Sequence, residues 1–452
     1  MTISSGSTDT IVAQATPPGN GGVGIVRVSG PESCVIADRI VGCSLKPRFA
    51  TYLPFKDLEG NTLDFGLALF FQAPHSFTGE DIVEFHMHGG QVALDLLIKT
   101  ICSLNARLAA PGEFSRRAFL NDKIDLAQAE AISDLINATT ETAARSAIRS
   151  LSGEFSAIIH QLLEKLIYLR MYIESAIDFP DEEIDFLSDE VISSGLSELA
   201  AFYDSILSKT REGVVLNEGM RVVILGQPNA GKSSLLNALT GEATAIVTEI
   251  AGTTRDIVRE TIQIDGMPLI LVDTAGIRDA EDVVESEGIR RAWDQVNSAD
   301  RIIVLIDAVT GITSADMSII QKIDNPDIVS LVFNKADLNS GCLLPSELSG
   351  LYSLNISALT GEGISDLKHH LKECMGYSGG EGAILARRRH LDALVQSRSF
   401  LLQAISNLKQ HMAGELAAED LRQAQLQLNR ITGNFDNEDL LDHIFSSFCI
   451  GK

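Results

Sequence analysis

Two periodicities divide the chain. Short, largely apolar runs at 222–225, 269–272, 302–306, 329–333 and 352–356 read as strands, and Leu235, Leu236 and Leu239 follow the first at helical spacing. From Asp125 the period is 3.6, with Leu126, Ala129, Ile132, Leu135 and Ile136 on one face. That pattern continues through 147–151, 158–177 and 191–209, and returns at 385–408 and 416–431. Nearer the start, 10–15, 23–28, 67–71 and 82–85 read as strands and 92–102 as a helix. The expected fold class is therefore multidomain α/β. An N-terminal α+β domain spans 1–120. A helical bundle covers 121–215 and resumes at 378–452, and a strand-rich domain is inserted between its halves at 216–377. Insertion is the simplest architecture, because the two ends of a compact domain usually lie close together.

Composition adds little to this picture. Hydrophobic content of 45% and charged content of 21% are ordinary for a soluble globular chain. No apolar run approaches the ~20 residues that span a bilayer. Positions 1–14 lack a secretory leader's basic start and apolar core. The six cysteines (34, 43, 102, 342, 374, 449) form no C-x-x-C pair, so reduced thiols in the cytoplasm are expected. A net charge of −25 excludes a protein that coats nucleic acid by charge alone.

The chemistry begins at the first buried strand. Positions 221–234 read RVVILGQPNAGKSS, which sets Gly226-x-x-x-x-Gly231-Lys232-Ser233 between a strand and a helix. Such a loop aims backbone N–H groups and the positive end of the helix at nucleotide phosphates. Asn229, Ala230, Gly231, Lys232, Ser233 and Ser234 are its expected contacts, with Lys232 on the β/γ-phosphates and the Ser233 hydroxyl on Mg²⁺. Positions 245–256, AIVTEIAGTTRD, suit a first switch loop in which one of two adjacent threonines, Thr254, closes over Mg²⁺. Asp273-Thr274-Ala275-Gly276 ends the next strand. There Asp273 holds Mg²⁺ through water, and Gly276 offers an amide to the γ-phosphate. Asn334-Lys335-Ala336-Asp337 decides the base, because the Asp337 carboxylate accepts from guanine N1–H and its 2-amino group, donors adenine lacks. In Ser357-Ala358-Leu359 a backbone N–H meets guanine O6. Four motifs in order, each at a strand end, specify GTP.

One expected part is missing. Ras-like enzymes place a glutamine directly after the second switch glycine to orient water; here Ile277 stands there. A carboxylate in 278–288 must serve instead, with Glu281, Asp282, Glu285 and Glu287 available. The Asn229 amide oxygen, with carbonyls of the first switch loop, can hold a monovalent cation where an arginine finger would otherwise reach.

Other features have blander readings. Gly19-x-Gly21-x-x-Gly24 mimics a dinucleotide fingerprint, but a strand rather than a helix follows, so a hairpin is expected. His86 and His88, with Glu84, form a polar patch or a metal cluster. The acids at 178–185 form a solvated helix junction or a divalent-ion site. Arg387-Arg388-Arg389-His390 either touches RNA phosphate or pairs with acidic neighbours. Cys449 has no histidine placed beside it by sequence to make it a nucleophile.

With GxPNAGKS, GTTRD, DTAG and NKAD inside a helical domain, the chain resembles the MnmE (TrmE) family of tRNA-modification GTPases. TIVAQATPPG at 10–19, PGEFSRRAFLN at 111–121, DLAQAEA at 125–131 and FCIGK at 448–452 extend the resemblance over essentially the whole chain. The resemblance implies a homodimer formed through an N-terminal domain that binds a reduced folate (5,10-methylene- or 5-formyl-tetrahydrofolate). It implies a potassium-dependent GTPase, and an FAD-dependent partner, MnmG (GidA), in a heterotetramer. Together they install an aminomethyl or carboxymethylaminomethyl group on C5 of the wobble uridine of certain tRNAs. On matching positions, it implies K⁺ at Asn229, Thr248, Ile250 and Thr253, with Glu285 as the water-positioning acid. The implied folate contacts are Arg27, Glu84, Lys123 and Lys452. The competing expectation is a ribosome-assembly switch that binds GTP and does no covalent chemistry.

Overall fold

The structure is a computed structural model. It describes residues 9–178, 190–241, 259–264, 267–273, 293, 296, 299–339, 345–375, 384–411, 413–433, 438–446, 448 and 451. Its strands are β1 (Thr10–Gln14), β2 (Gly21–Ser29), β3 (Thr51–Lys56), β4 (Thr62–Phe71), β5 (Ile82–Gly89), β6 (Ala106–Leu108), β7 (Met220–Leu225), β8 (Arg259–Ile264), β9 (Met267–Asp273), β10 (Arg301–Asp307), β11 (Val329–Asn334) and β12 (Tyr352–Asn355). Its helices are α1 (Ser33–Val41), α2 (Gln91–Cys102), α3 (Glu113–Leu120), α4 (Leu126–Asn137), α5 (Glu141–Leu151), α6 (Glu154–Asp178), α7 (Glu190–Glu218), α8 (Lys232–Gly241), α9 (Ser314–Gln321), α10 (Ile364–Cys374), α11 (Arg388–His411), α12 (Gly414–Thr432) and α13 (Glu438–Ser446). Two compact units result, Met1–Ser133 with Asn429–Lys452, and Asp134–Leu428.

In the first unit the sheet runs β3-β4-β5-β2-β1-β6. Only β6 lies parallel to its neighbour. The glycine-rich stretch closes the antiparallel β1–β2 hairpin, as the strand pattern implies. Gly24 has a packing role: a Cβ there would stand 2.7 Å from Leu94 Cδ2, so its bare α-carbon lets α2 settle on the sheet. Leu94, Leu97 and Ile101 of α2 and Ile36 and Ile40 of α1 bury against Val26, Val28, Val83 and Phe85. α1, α3, β3 and β6 carry too little periodic signal to stand out in the sequence. A second cluster, Leu126, Ala129, Leu441, Ile444, Phe445 and Phe448, seats the C-terminal segment in this unit.

In the second unit the sheet runs β12-β11-β10-β7-β9-β8, parallel except for β8 on β9. All five runs are strands here; the burial of β7, β9, β10 and β11 explains their largely apolar sequences, whereas the edge strand β12 is mostly exposed. The order reverses at β7, which puts the crevice at the carboxyl ends of β7, β10 and β11. The helices pack around a buried hydrogen-bond chain: Tyr203 Oη and Ser397 Oγ lie 2.5 Å apart, and Ser397 Oγ donates to Ala424 O at 2.8 Å. The apolar run at 385–408 is not all helix. α11 starts at Arg388, whereas Ile384, Leu385 and Ala386 are buried in the irregular connection before it. Ser150 Oγ donates to Leu385 O at 3.1 Å, and Gly213 lies so close that a Cβ on it would meet Ile384 O at 1.7 Å. Burial of a connecting segment, not a helical face, made those positions apolar.

Candidate functional site: a phosphate loop and a guanine pocket

β7 delivers the chain into a tight curl. Gly226 (φ +152°), Asn229 (φ +67°) and Gly231 (φ +97°) turn the loop before α8 starts at Lys232. A Cβ on Gly226 would stand 2.3 Å from Leu305 O, and one on Gly231 would stand 2.2 Å from Asn334 Nδ2. Close approach as well as backbone conformation therefore demands glycine. Asparagine is one of the few side chains that tolerates the left-handed turn at 229. Lys232 folds over the loop and donates to Gly226 O at 2.7 Å and Gln227 O at 3.2 Å. Ser233 and Ser234 are exposed on the first turn of α8, where the free amides and the helix dipole favour an anion.

Asn334, at the end of β11, is almost fully buried and bonds on both sides. Its Nδ2 donates to Ala230 O and its Oδ1 accepts the Ala358 N–H, each at 2.9 Å. It ties the phosphate loop to the Ser357 loop. Ser357 is buried; its N–H donates to Glu362 O at 2.9 Å and its Oγ accepts from Thr360 N at 3.2 Å. With Ala358's amide committed to Asn334, the donor the loop has left for a purine carbonyl is the Leu359 N–H, which has no partner among the described residues. Asp337 is exposed at the same end, and among the described residues nothing pairs with it. Lys335 takes a left-handed backbone (φ +68°), and its Nζ reaches Asp307 Oδ2 at 2.6 Å. Asp307 closes β10 directly after its apolar run, yet no spacing in the sequence links it to Lys335.

The register of β9 on β7 sets Asp273 opposite Ile224, level with the start of the phosphate loop. Thr248, Ile250, Thr253, Thr254, Thr274, Ala275, Gly276 and Glu285 lie outside the described residues. Of the side chains expected to meet Mg²⁺ and K⁺, this leaves the Ser233 hydroxyl and the Asn229 amide. Asn229 is exposed on the loop without a described partner, and an amide oxygen suits a weakly hydrated monovalent cation.

The N-terminal unit holds a second constellation. Arg27 and Glu84 face each other across β2 and β5, with Nε donating to Glu84 Oε1 at 2.8 Å. The guanidinium lies 5.7 Å from the Phe77 ring centre and 5.8 Å from that of Phe114, contacts without any signature in sequence spacing. Its two Nη groups have no partner among the described residues and the side chain is 22% exposed, so a forked donor faces outward. That fits a carboxylate or carbonyl of a folate. Lys123 Nζ donates to Pro74 O at 2.9 Å, in the loop that also carries Phe77. Gly451 lies against Gln14, since a Cβ on it would stand 2.1 Å from Gln14 O. The C-terminal segment thus ends beside β1, whose Ala13 is the register partner of Arg27. Lys452 and Cys449 lie outside the described residues, as does the acidic segment after Asp178.

The remaining polar features are satisfied locally. His86 Nε2 lies 3.2 Å from Glu84 Oε2, and His88 Nδ1 lies 2.9 Å from Asp64 Oδ1. In the basic cluster, Arg387 pairs with Asp134 at 2.7 Å and Arg388 with Asp300 at 3.1 Å, the acidic-neighbour arrangement.

Comparison with known proteins adds the family. The model for the MnmE helical domain matches residues 126–449, and that for the GTP-binding protein TrmE N-terminus matches 10–123. The tRNA modification GTPase MnmE of Vibrio vulnificus (strain YJ016) is 54% identical over 452 residues, covering 99% of this chain and all of that protein. The tRNA modification GTPase MnmE of Actinobacillus succinogenes is 56% identical over 450 residues, covering 98% of this chain and all of that protein. Phosphate loop, guanine pocket and matches along the whole length agree, and the chain belongs to the MnmE (TrmE) family.

Proposed function

We propose that the chain hydrolyses GTP to drive modification of C5 of the wobble uridine of certain tRNAs. In this reading it acts with the FAD-dependent MnmG partner and a reduced folate that supplies a one-carbon unit. The observation that carries the reading is the coexistence, in one chain of this family, of a guanine-nucleotide loop and the outward-facing Arg27 fork beside Glu84.

Each residue has a physical task. The loop amides and Lys232 hold the β- and γ-phosphates, and Asp337 excludes adenine by leaving it short of donors. Ser233, with Thr254 and Asp273, holds Mg²⁺, which neutralises charge on the phosphate oxygens when bound. Asn229, with Thr248, Ile250 and Thr253, holds K⁺ in place of an arginine finger, and Glu285 orients the attacking water that Ile277 cannot. Arg27, Lys123 and Lys452 receive the folate's anionic and carbonyl groups, and Glu84 accepts from its pterin.

The same reading gives a homodimer built on the open face of the first sheet. There Tyr52 (68% exposed) and Phe65 (49% exposed) stack with ring centres 6.4 Å apart, beside half-exposed Leu67. The same reading puts the chain in the cytoplasm, with its tRNA substrate. Among the described residues no helix is long and apolar enough to cross a membrane. Its acidity leaves the tRNA chiefly to the partner. Nucleoside analysis of tRNA from cells lacking the chain tests the proposal. Loss of the modified wobble uridine is expected; intact modification with stalled ribosomal subunits would favour the ribosome-assembly switch.

A further inference from the structure

We infer that Asp307 is a positioning residue for guanine recognition, acting through Lys335. The inference rests on the reading that a guanine nucleotide occupies the loop. β10 and β11 run parallel with Asp307 opposite Asn334, so the ends of the two strands emerge side by side at the crevice. Lys335 follows at once, and its left-handed backbone turns the side chain back toward β10, where its ammonium meets Asp307 Oδ2 at 2.6 Å. The carboxylate is itself fixed, because Oδ1 accepts the Val309 N–H at 2.9 Å. Two further ties bind the same loops: Ala308 N–H donates to Asn334 O, and Asn339 Nδ2 donates to Ala308 O, both at 2.9 Å.

A lysine stem has four rotatable methylenes and costs about 2 kcal/mol to order on its own. Anchored at both ends, it becomes a fixed apolar strip on the approach to Asp337, two residues further on. A flat purine whose donor edge meets Asp337 lies against that strip. Burial pushes the Asp307 carboxyl up, but the Lys335 ammonium and the backbone N–H groups outweigh it and keep it ionised at neutral pH.

Asp307→Asn separates this role from loop support. The amide oxygen still accepts from Val309, while the ammonium loses its anion. Fluorescent mant-GDP titration and steady-state GTP hydrolysis of the full-length chain read the result. Asp307→Asn is expected to weaken mant-GDP binding about tenfold, with the loss falling on KM rather than kcat and the melting temperature held. Lys335→Met is expected to lose about as much, and the double variant no more than the larger single loss. Lys335→Arg, which keeps the pair, is expected to stay within about threefold of wild type. Wild-type affinity in Asp307→Asn, or losses that add fully in the double variant, would overturn the assignment. Should Asp307→Asn not fold, Lys335→Met against Lys335→Arg decides, with equal affinities overturning it. Failure of the unaltered chain to bind mant-GDP would instead sink the nucleotide reading itself.

Discussion

Gly231 sits directly beneath Asn334: a Cβ on the glycine would stand 2.2 Å from the asparagine Nδ2, the nitrogen that donates to Ala230 O at 2.9 Å. Both loops that surround the nucleotide meet at this one side chain. Asn334→Ala leaves Ala230 O and Ala358 N–H unpaired in a buried place, at about 1–3 kcal/mol each. GDP affinity is expected to fall ~10²-fold or more and the melting temperature to drop, read by titration and calorimetry. Gly231→Ala is expected to lose binding as well, because the clash falls on a side chain already held at both ends.

Asp337 stands apart, exposed and unpaired among the described residues, so its replacement alters recognition without disturbing packing. Asp337→Asn turns one acceptor into a donor. GTP affinity is expected to drop ~10²-fold or more, whereas XTP, whose 2-oxo group accepts a hydrogen bond, is expected to gain. Competition binding measures both, and unchanged preference for GTP would contradict the base-reading role.

His370 gives the second unit an acid-sensitive point. It is buried, stacked on Tyr352 with ring centres 3.5 Å apart, and hydrogen-bonded to Ser330 Oγ at 2.8 Å. Burial, then the charge of Arg301, lowers its pKa to about 4. The unfolded chain takes up this proton near 6.5, so the stabilisation is complete above that value and drains away as pH falls toward 4. His370→Gln is expected to melt lower at pH 7 yet lose less between pH 7 and 5, a difference of at most about 2 kcal/mol. Parallel melting-versus-pH curves would contradict this.

For Glu285 the expectation is kinetic. Glu285→Ala should bind GTP almost normally and turn it over ~10²-fold more slowly. The unaltered chain should be strongly activated by KCl and not by NaCl, and Asn229→Gly, which keeps the left-handed turn, should lose that activation. Single-turnover hydrolysis in the two salts reads all three.

What was legible in the sequence is what is encoded locally. The glycine-rich curl, the apolar strands and the Asn334-Lys335-Ala336-Asp337 run carry their chemistry within a few residues, and the fold places them together. Pairs that depend on strand register were invisible: Arg27 meets Glu84 across 57 positions, and Asp307 meets Lys335 across 28. Which amide of Ser357-Ala358-Leu359 is left for the base was not legible either, because the commitment of the Ala358 N–H to Asn334 follows only from two loops closing on one side chain. Positions 385–387 read as helix because an irregular connection buried against α5 and α7 needs apolar residues as well.

In the proposed function, GTP hydrolysis by this chain drives wobble-uridine modification. Liquid chromatography of tRNA nucleosides from a strain lacking the chain, complemented with either the unaltered protein or Glu285→Ala, tests it most directly. The C5-modified nucleoside is expected to disappear in the deletion strain, return with the unaltered protein and stay absent with Glu285→Ala. Persistence of the modified nucleoside in the deletion strain would contradict it.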